Sequence, residues 1–201
     1  AYYAWDETAK DVVLQPAVEA IQLTDAITKL EDGKWYVVLG KRFFDHEITV
    51  DAKASARLIL WKYADVSFKR RVTIGEDASL SVYGTKKMAY GEDRMAGEVL
   101  FETYYLTDDP KQNPVVAENA TINFHGGILK CSSSLGLRCG TLNVYGGSLG
   151  AYTPSSEASP AAAISAKTAV NVYGGWLSAH AYGPGAAGIG GASGEDGCTV
   201  N

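Results

Sequence analysis

Cysteine is scarce in this sequence, and the arrangement of the few cysteines argues against two kinds of site. Three occur among 201 residues, Cys131, Cys139 and Cys198, and no two of them form a C-x-x-C pair. An odd number without close spacing fits neither a disulfide framework nor a zinc site. We therefore expect the thiols to serve as small buried side chains, and we expect no metal on cysteine.

Positive charge is scarce as well. Charged residues make up 20% of the chain and the net charge is −5. A nucleic-acid partner would require clustered Lys and Arg, but the one compact basic run, Lys69-Arg70-Arg71, is typical of an exposed strand start. No apolar run approaches the roughly 18 to 20 residues of a membrane span. We expect no nucleic-acid partner and no membrane span, and no signal-peptide pattern is visible.

Glycine and tyrosine, in contrast, are plentiful, at 22 and 12 residues. That balance favours a turn-rich β protein over a helical bundle. In the first half, short strand-like runs recur about every ten residues, as a coil with three sides requires. These runs are Trp35–Leu39, Glu47–Asp51, Arg57–Trp61, Val66–Phe68, Arg71–Ile74, Leu80–Tyr83 and Glu98–Tyr105.

An internal repeat dominates the second half. Each copy alternates apolar and polar residues and closes with Gly-Gly, and a truncated fourth copy begins at Thr199. Repeats whose loops vary in length are the signature of a solenoid, in which each coil buries its apolar face against its neighbours. The three full copies begin at Thr121, Thr141 and Ala169, and read TINFHGG, TLNVYGG and AVNVYGG.

The alternation predicts an all-β fold, a right-handed parallel β-helix of about seven coils. Ile122, Leu142 and Val170 should occupy equivalent buried positions in consecutive coils. We expect the helix to span residues 31–201 and residues 1–30 to form an N-terminal cap. Within the cap, residues 16–30 could form a short amphipathic helix or a first strand over 18–23, and the strand is slightly favoured.

The last copy is interrupted at Asn201, inside a repeat. An unpaired strand edge is normally covered in natural proteins. We therefore expect further coils, or self-association of the chain, at this C-terminal edge.

The repeats resemble a known family. Gly33-Lys34-Trp35-Tyr36-Val37-Val38, Leu80-Ser81-Val82-Tyr83-Gly84, Ala186-Ala187-Gly188-Ile189-Gly190-Gly191 and the Asn-x-x-Gly-Gly copies are similar to β-helical repeats of bacterial cell-surface proteins described as containing carbohydrate-binding domains. The resemblance covers about residues 18–201, and it implies a secreted or cell-surface location and a glycan partner. His125 departs from the pattern, since a Gly or Tyr is more usual at its position.

Two outward-facing columns are the candidate ligand-binding residues. Rings from consecutive coils, spaced about 4.8 Å apart, could meet successive units of a glycan, or they could stack on one another to stabilise the solenoid. Amides at the neighbouring position could bond to sugar hydroxyls or to each other along the stack, and the second role is favoured. The ring candidates are Tyr83, His125, Tyr145, Tyr173 and Trp176, and the amides are Asn123, Asn143 and Asn171.

Metal binding and catalysis have weaker support. Acidic turns at Glu31-Asp32-Gly33, Gly75-Glu76-Asp77, Gly91-Glu92-Asp93 and Gly194-Glu195-Asp196-Gly197 could hold Ca²⁺, but Asp and Gly also belong in turns for backbone reasons. We expect no cofactor. Lyase chemistry would have to use Asp108, Asp109, Lys130 and Arg138, which share no register. The alternation also separates Cys131, inward, from His125, outward, so that no catalytic residue is assigned.

The sequence therefore predicts an extracellular β-helical module of a bacterial surface protein that binds a polysaccharide or other glycan in adhesion. A structural stalk or self-assembling surface module without a ligand is the alternative. A polysaccharide lyase-like enzyme is the second alternative.

Overall fold

The chain forms nineteen β-strands among its described residues, and no helix. The computed structural model describes residues 1–85, 97–102, 115–133, 135–153, 162–182, 186–190 and 197–201, and gives only the strand placement of residues 101 and 102. Nothing in this described part is a helix long and apolar enough to cross a membrane.

All but two of the strands wind into a parallel solenoid with three faces, which we number in the order in which each complete coil crosses them. The first face contains β3 (Ile21–Gln22), β5 (Trp35–Val38), β8 (Ser55–Leu60), β11 (Ser79–Gly84), β19 (Thr199–Val200) and the second halves of β13 (Val115–Phe124), β15 (Leu137–Val144) and β17 (Ile164–Val172).

The second and third faces complete each coil. The second contains β6 (Lys41–Phe44), β9 (Asp65–Phe68), β12 (Glu98–Glu102), β14 (Ile128–Ser132), β16 (Ser148–Thr153) and β18 (Trp176–Ala181). The third contains β4 (Lys29–Leu30), β7 (Ile48–Val50), β10 (Val72–Ile74) and the first halves of β13, β15 and β17, which bend from this face into the first face of the next coil.

The predicted register of the repeats is confirmed. Leu80 pairs with Ile122, Ile122 with Leu142, Leu142 with Val170 and Val170 with Val200, all in parallel strands. Leu80, Ile122, Leu142 and Val170 are all buried in one continuous core. The all-β solenoid is therefore the fold of this chain. The described strands complete about five coils, fewer than the seven expected, because the coils at the two ends lack a described strand on one or more faces.

Glycine ends each strand of the repeat for two separate reasons. Gly127, Gly147 and Gly175 have φ values of 90°, 79° and 83°, in the left-handed region that favours glycine. A Cβ atom on Gly147 would also lie 2.6 Å from the carbonyl oxygen of Gly127 in the coil beneath. The bend therefore requires glycine both for its backbone angle and for the close stacking of the coils.

The first 30 residues contain a hairpin that the sequence did not predict. The described solenoid begins at β3, where Ile21 pairs with Tyr36, and the alternative helix over 16–30 does not form. Before it, β1 (Tyr2–Asp6) and β2 (Asp11–Gln15) form an antiparallel hairpin in a sheet of its own. The hairpin lies against the outer side of the first face.

Candidate functional site at the ring column and its hairpin

Four rings on the first face form a continuous stack, which we call the ring column: Tyr83, His125, Tyr145 and Tyr173. Neighbouring ring centroids are 4.5, 4.5 and 4.8 Å apart, and neighbouring ring planes lie within 8° of parallel. Parallel in-register strands place equivalent residues of adjacent coils at about this spacing. The column is therefore a direct product of the repeat.

The stacking decides which part of each ring can meet a ligand. Within the column the ring faces lie against one another, so that a molecule lying along it would meet ring edges. Stacking of the rings on one another is one of the two roles that the sequence left open. Tyr83 is buried, whereas Tyr173 at the end of the stack is 51% exposed.

The N-terminal hairpin lies over the edges of these rings. At one end, Tyr2 packs 4.7 Å from the ring of Trp35 and 5.0 Å from that of Tyr83. At the other, the ring centroid of Trp5 lies 5.7 Å from that of Tyr145 and 5.6 Å from that of Tyr173. The hairpin thus follows the column across several coils.

One hydrogen bond joins the hairpin to the middle of the column. The backbone N–H of Trp5 donates to Nδ1 of His125 at 3.2 Å. Nδ1 must be unprotonated to accept this bond, so that the imidazole is neutral and carries its proton on Nε2. Burial favours the same state, since it lowers the pKa of His125 to about 4. Burial also raises the pKa of Tyr83 and of Tyr145.

Short polar contacts shape the hairpin turn and fix the Trp5 ring. The carboxylate of Asp6 accepts hydrogen bonds from the N–H groups of Thr8 and Ala9, at 2.9 and 2.8 Å. Trp5 Nε1 donates to Glu7 at 3.0 Å, and Lys10 Nζ pairs with the same carboxylate at 2.7 Å. The bond to Lys10 is the main reason that the pKa of Glu7 is lowered. These contacts hold Trp5 in place over the column.

A cleft of about 130 Å³ opens between the hairpin and the Gly-Gly bends. The close approach depends on glycine, because a Cβ atom on Gly146 would lie 2.7 Å from Cγ2 of Val12. Aromatic rings, charged side chains and glycine backbone thus meet in one concave place. Its walls are Trp5, Lys10 and Asp11 on the hairpin side and His125, Tyr145 and Tyr173 on the column side.

The remaining ring candidate, Trp176, lies elsewhere. It follows the Gly174-Gly175 bend, begins β18 on the second face and pairs with Ser148. Its side chain is 49% exposed. Trp176 is therefore next to the end of the column but not among the residues that line the cleft.

The asparagines form a hydrogen-bonded ladder beside the rings, as the favoured interpretation predicted. Asn123 Nδ2 donates to Ser81 Oγ at 3.2 Å, and Asn143 Nδ2 donates to Asn123 Oδ1 at 2.9 Å. Asn171 donates to Asn143 at 2.8 Å, and Asn201 to Asn171 at 2.7 Å. Each amide thus bonds to the coil beside it.

The cysteines are free, as expected. Cys131 and Cys139 are buried, and burial raises the pKa of each thiol to about 12. Cys198 is partly buried against the same core. Cys131 lies inside the solenoid and His125 outside it, so that the two form no catalytic pair.

The pieces considered for a lyase are not assembled among the described residues. Lys130, on the second face, pairs with Glu98 at 3.0 Å, and Arg138, on the third, lies 3.8 Å from Glu118. Asp108 and Asp109 lie outside the described residues, as do Gly91-Glu92-Asp93 and residues 194–196.

The described acidic turns have backbone roles. Asp32 accepts a hydrogen bond from the N–H of Ser55 at 2.8 Å, and Asp77 has a φ of 57°. In the described part of the chain, no group of three His, Cys, Asp or Glu side chains could hold a metal ion.

Fold and site together define the chain as a parallel β-helix with an aromatic hairpin folded over its outer ring column. No family model matches the chain, and no curated protein or solved structure matches it either. The resemblance to bacterial cell-surface proteins therefore stays a prediction, and any function has to be argued from the site.

Proposed function

We propose that this chain is an extracellular β-helical module of a bacterial surface protein that binds a polysaccharide or other glycan in adhesion. The observation that carries the proposal is the cleft between the hairpin and the ring column. It is concave, and aromatic and polar groups converge on it as they do in small-molecule sites, but at about 130 Å³ it is smaller than most of them.

The chemistry of the cleft suits a sugar. A sugar ring has apolar C–H faces and hydroxyl groups around its edge, so that it pairs well with amphipathic aromatic side chains and nearby polar groups. Trp5 and Tyr173 supply rings, and Lys10 and Asp11 supply a donor and an acceptor. The backbone of the Gly-Gly bends adds further polar groups that no side chain screens.

The size of the cleft limits the size of the ligand. A volume of about 130 Å³ is small, so that it accepts a terminal sugar unit or a branch and not a length of chain. Binding at a chain end fits adhesion, where a surface module must recognise glycans attached elsewhere.

The test is a glycan array followed by calorimetric titration of the best ligand. Tyr173→Ala removes a wall of the cleft, and we expect affinity to fall about tenfold, the effect of losing one aromatic contact of about 1 to 1.5 kcal/mol. Tyr182→Ala is the matched control, since Tyr182 is 53% exposed but lies outside the cleft. Equal affinities in the two variants would remove the cleft from consideration, as would an array without any bound glycan.

A structural scaffold is the second candidate. The asparagine ladder and the ring column favour it, because both use their polar groups and ring faces for contacts between coils. A scaffold role needs no ligand, and it is the function that a negative array would favour.

A further inference from the structure

The hairpin and the solenoid are separate hydrogen-bonded units. Strands β1 and β2 pair only with each other among the described strands, and the linker over residues 16–19 is exposed. Side chains, mainly Tyr2 and Trp5, and the Trp5–His125 hydrogen bond connect the hairpin to the column. Detaching the hairpin would therefore break no strand pairing of the solenoid.

The hydrogen bond to His125 depends on a single proton. Nδ1 accepts the Trp5 N–H at 3.2 Å only while it is unprotonated. A proton on Nδ1 would point a second donor at the Trp5 N–H, and the attraction would become a repulsion. A tyrosine, the residue at the equivalent positions 83, 145 and 173, has no such property.

Burial opposes an added positive charge on His125. Its faces are covered by Tyr83 and Tyr145, which are neutral rings. From the hairpin, Lys10 and Asp11 line the same cleft, and Lys10 is held by Glu7. An imidazolium here would be desolvated while the hairpin is docked, and it would regain water when the hairpin leaves.

We propose that the N-terminal hairpin is a detachable cover of the ring column, released when His125 is protonated. Release exposes the ring edges of Tyr83, His125 and Tyr145 and removes the hairpin wall of the cleft. The proposal does not require that a glycan binds, so that it can fail or succeed independently of the function argued above.

The experiment is hydrogen–deuterium exchange of the whole chain at pH 7.5 and pH 3.5, corrected for the pH dependence of chemical exchange. Protection of the hairpin amides should fall about tenfold or more at pH 3.5, since docking and protonation of His125 are linked. Protection in the solenoid strand Leu137–Val144 should persist. His125→Tyr keeps a ring in the stack but removes both the titrating nitrogen and the acceptor of the Trp5 N–H bond, so that hairpin protection should be lower at pH 7.5 and should no longer change between the two pH values.

Two further measurements keep the result decisive. His180→Gln changes an exposed histidine on β18 and should behave like the unaltered chain. In the unaltered chain, the NMR titration of His125 should share its midpoint with the loss of hairpin protection. Hairpin protection that is equal at pH 7.5 and 3.5, or a transition that persists in His125→Tyr, would overturn the proposal. If acid released the hairpin by protonating Glu7 or Asp11 and not His125, the same transition would still be seen in His125→Tyr.

Discussion

A side-chain amide carries both donors and an acceptor, and this makes asparagine suited to a column of identical residues. Asn143 donates to Asn123 and accepts from Asn171, at 2.9 and 2.8 Å. Asn123 and Asn171 have the same geometry, so that these three amides are each held on two sides. A serine begins the ladder at Ser81, where a hydroxyl accepts the first bond.

Asn143→Ala should therefore destabilise the chain by about 1 to 2 kcal/mol, because two hydrogen bonds are lost at one partly buried position. Denaturation in urea, monitored by circular dichroism, measures the shift in midpoint. Asn119→Ala is the matched control, since Asn119 is exposed and its side-chain oxygen accepts a hydrogen bond from Lys167 outside the ladder. A control as destabilised as Asn143→Ala would show that the ladder contributes nothing specific.

At the scale of the strand and its bend, the glycine that follows each repeat is as important as the apolar residues within it. Gly147 combines a φ of 79° with backbone of the neighbouring coil 2.6 Å from where a Cβ atom would stand. Gly150, three residues later in β16, has open space around it. The two glycines allow the bend and the strand to be tested with the same substitution.

Gly147→Ala should cost about 3 kcal/mol or more, since the backbone angle is strained and the coils must separate. Gly150→Ala should change stability by less than about 0.5 kcal/mol, because its side chain would point into free space. Urea midpoints of the two variants make the comparison. Similar values for both would mean that the bend tolerates a side chain and that the stacking argument is wrong.

The same scale shows what the sequence could predict. The repeat fixed the faces and the register, because alternation and Gly-Gly act locally and each copy supports the next. Strand β6 (Lys41–Phe44) was missed, since Lys41 and Arg42 hide its alternation. The hairpin was missed because it has no second copy, although Tyr2–Asp6 and Asp11–Gln15 flank a polar turn, which is a hairpin signal.

The site was only partly predictable for a related reason. Asparagine ladders and ring stacking follow from the register alone, so that the residues at 83, 125, 145 and 173 could be named. The cleft depends on a segment that folds back from the far end of the chain, and no local pattern states where such a segment docks. Trp5 and Lys10 therefore emerged only from the structure.

For the whole molecule, the hairpin matters because a solenoid has few contacts between distant coils. Each coil touches mainly its neighbours, so that stability is nearly a sum of adjacent interfaces. The hairpin adds contacts that reach beyond neighbouring coils: Tyr2 contacts Trp35 and Tyr83, whereas Trp5 contacts Tyr145 and Tyr173. It ties early coils to late ones along the outside of the first face, with His125 at the middle.

This position makes the stability of the whole chain depend on pH. The pKa of His125 is about 4 when folded, against an ordinary value of 6.5, so that between these values the unfolded chain binds more protons. The contribution of neutral His125 is complete above about pH 6.5, falls as the pH drops through this window and is lost near pH 4. The full loss is roughly 3 kcal/mol.

Urea denaturation at pH 7.5 and pH 4.5 should show this loss in the unaltered chain and a smaller one in His125→Tyr. The comparison isolates His125, because carboxylates with a lowered pKa, such as Glu7, contribute less to the stability of both proteins on acidification. Equal losses in the two proteins would assign the acid sensitivity to the carboxylates. A loss confined to the unaltered chain would place it at the histidine that holds the hairpin.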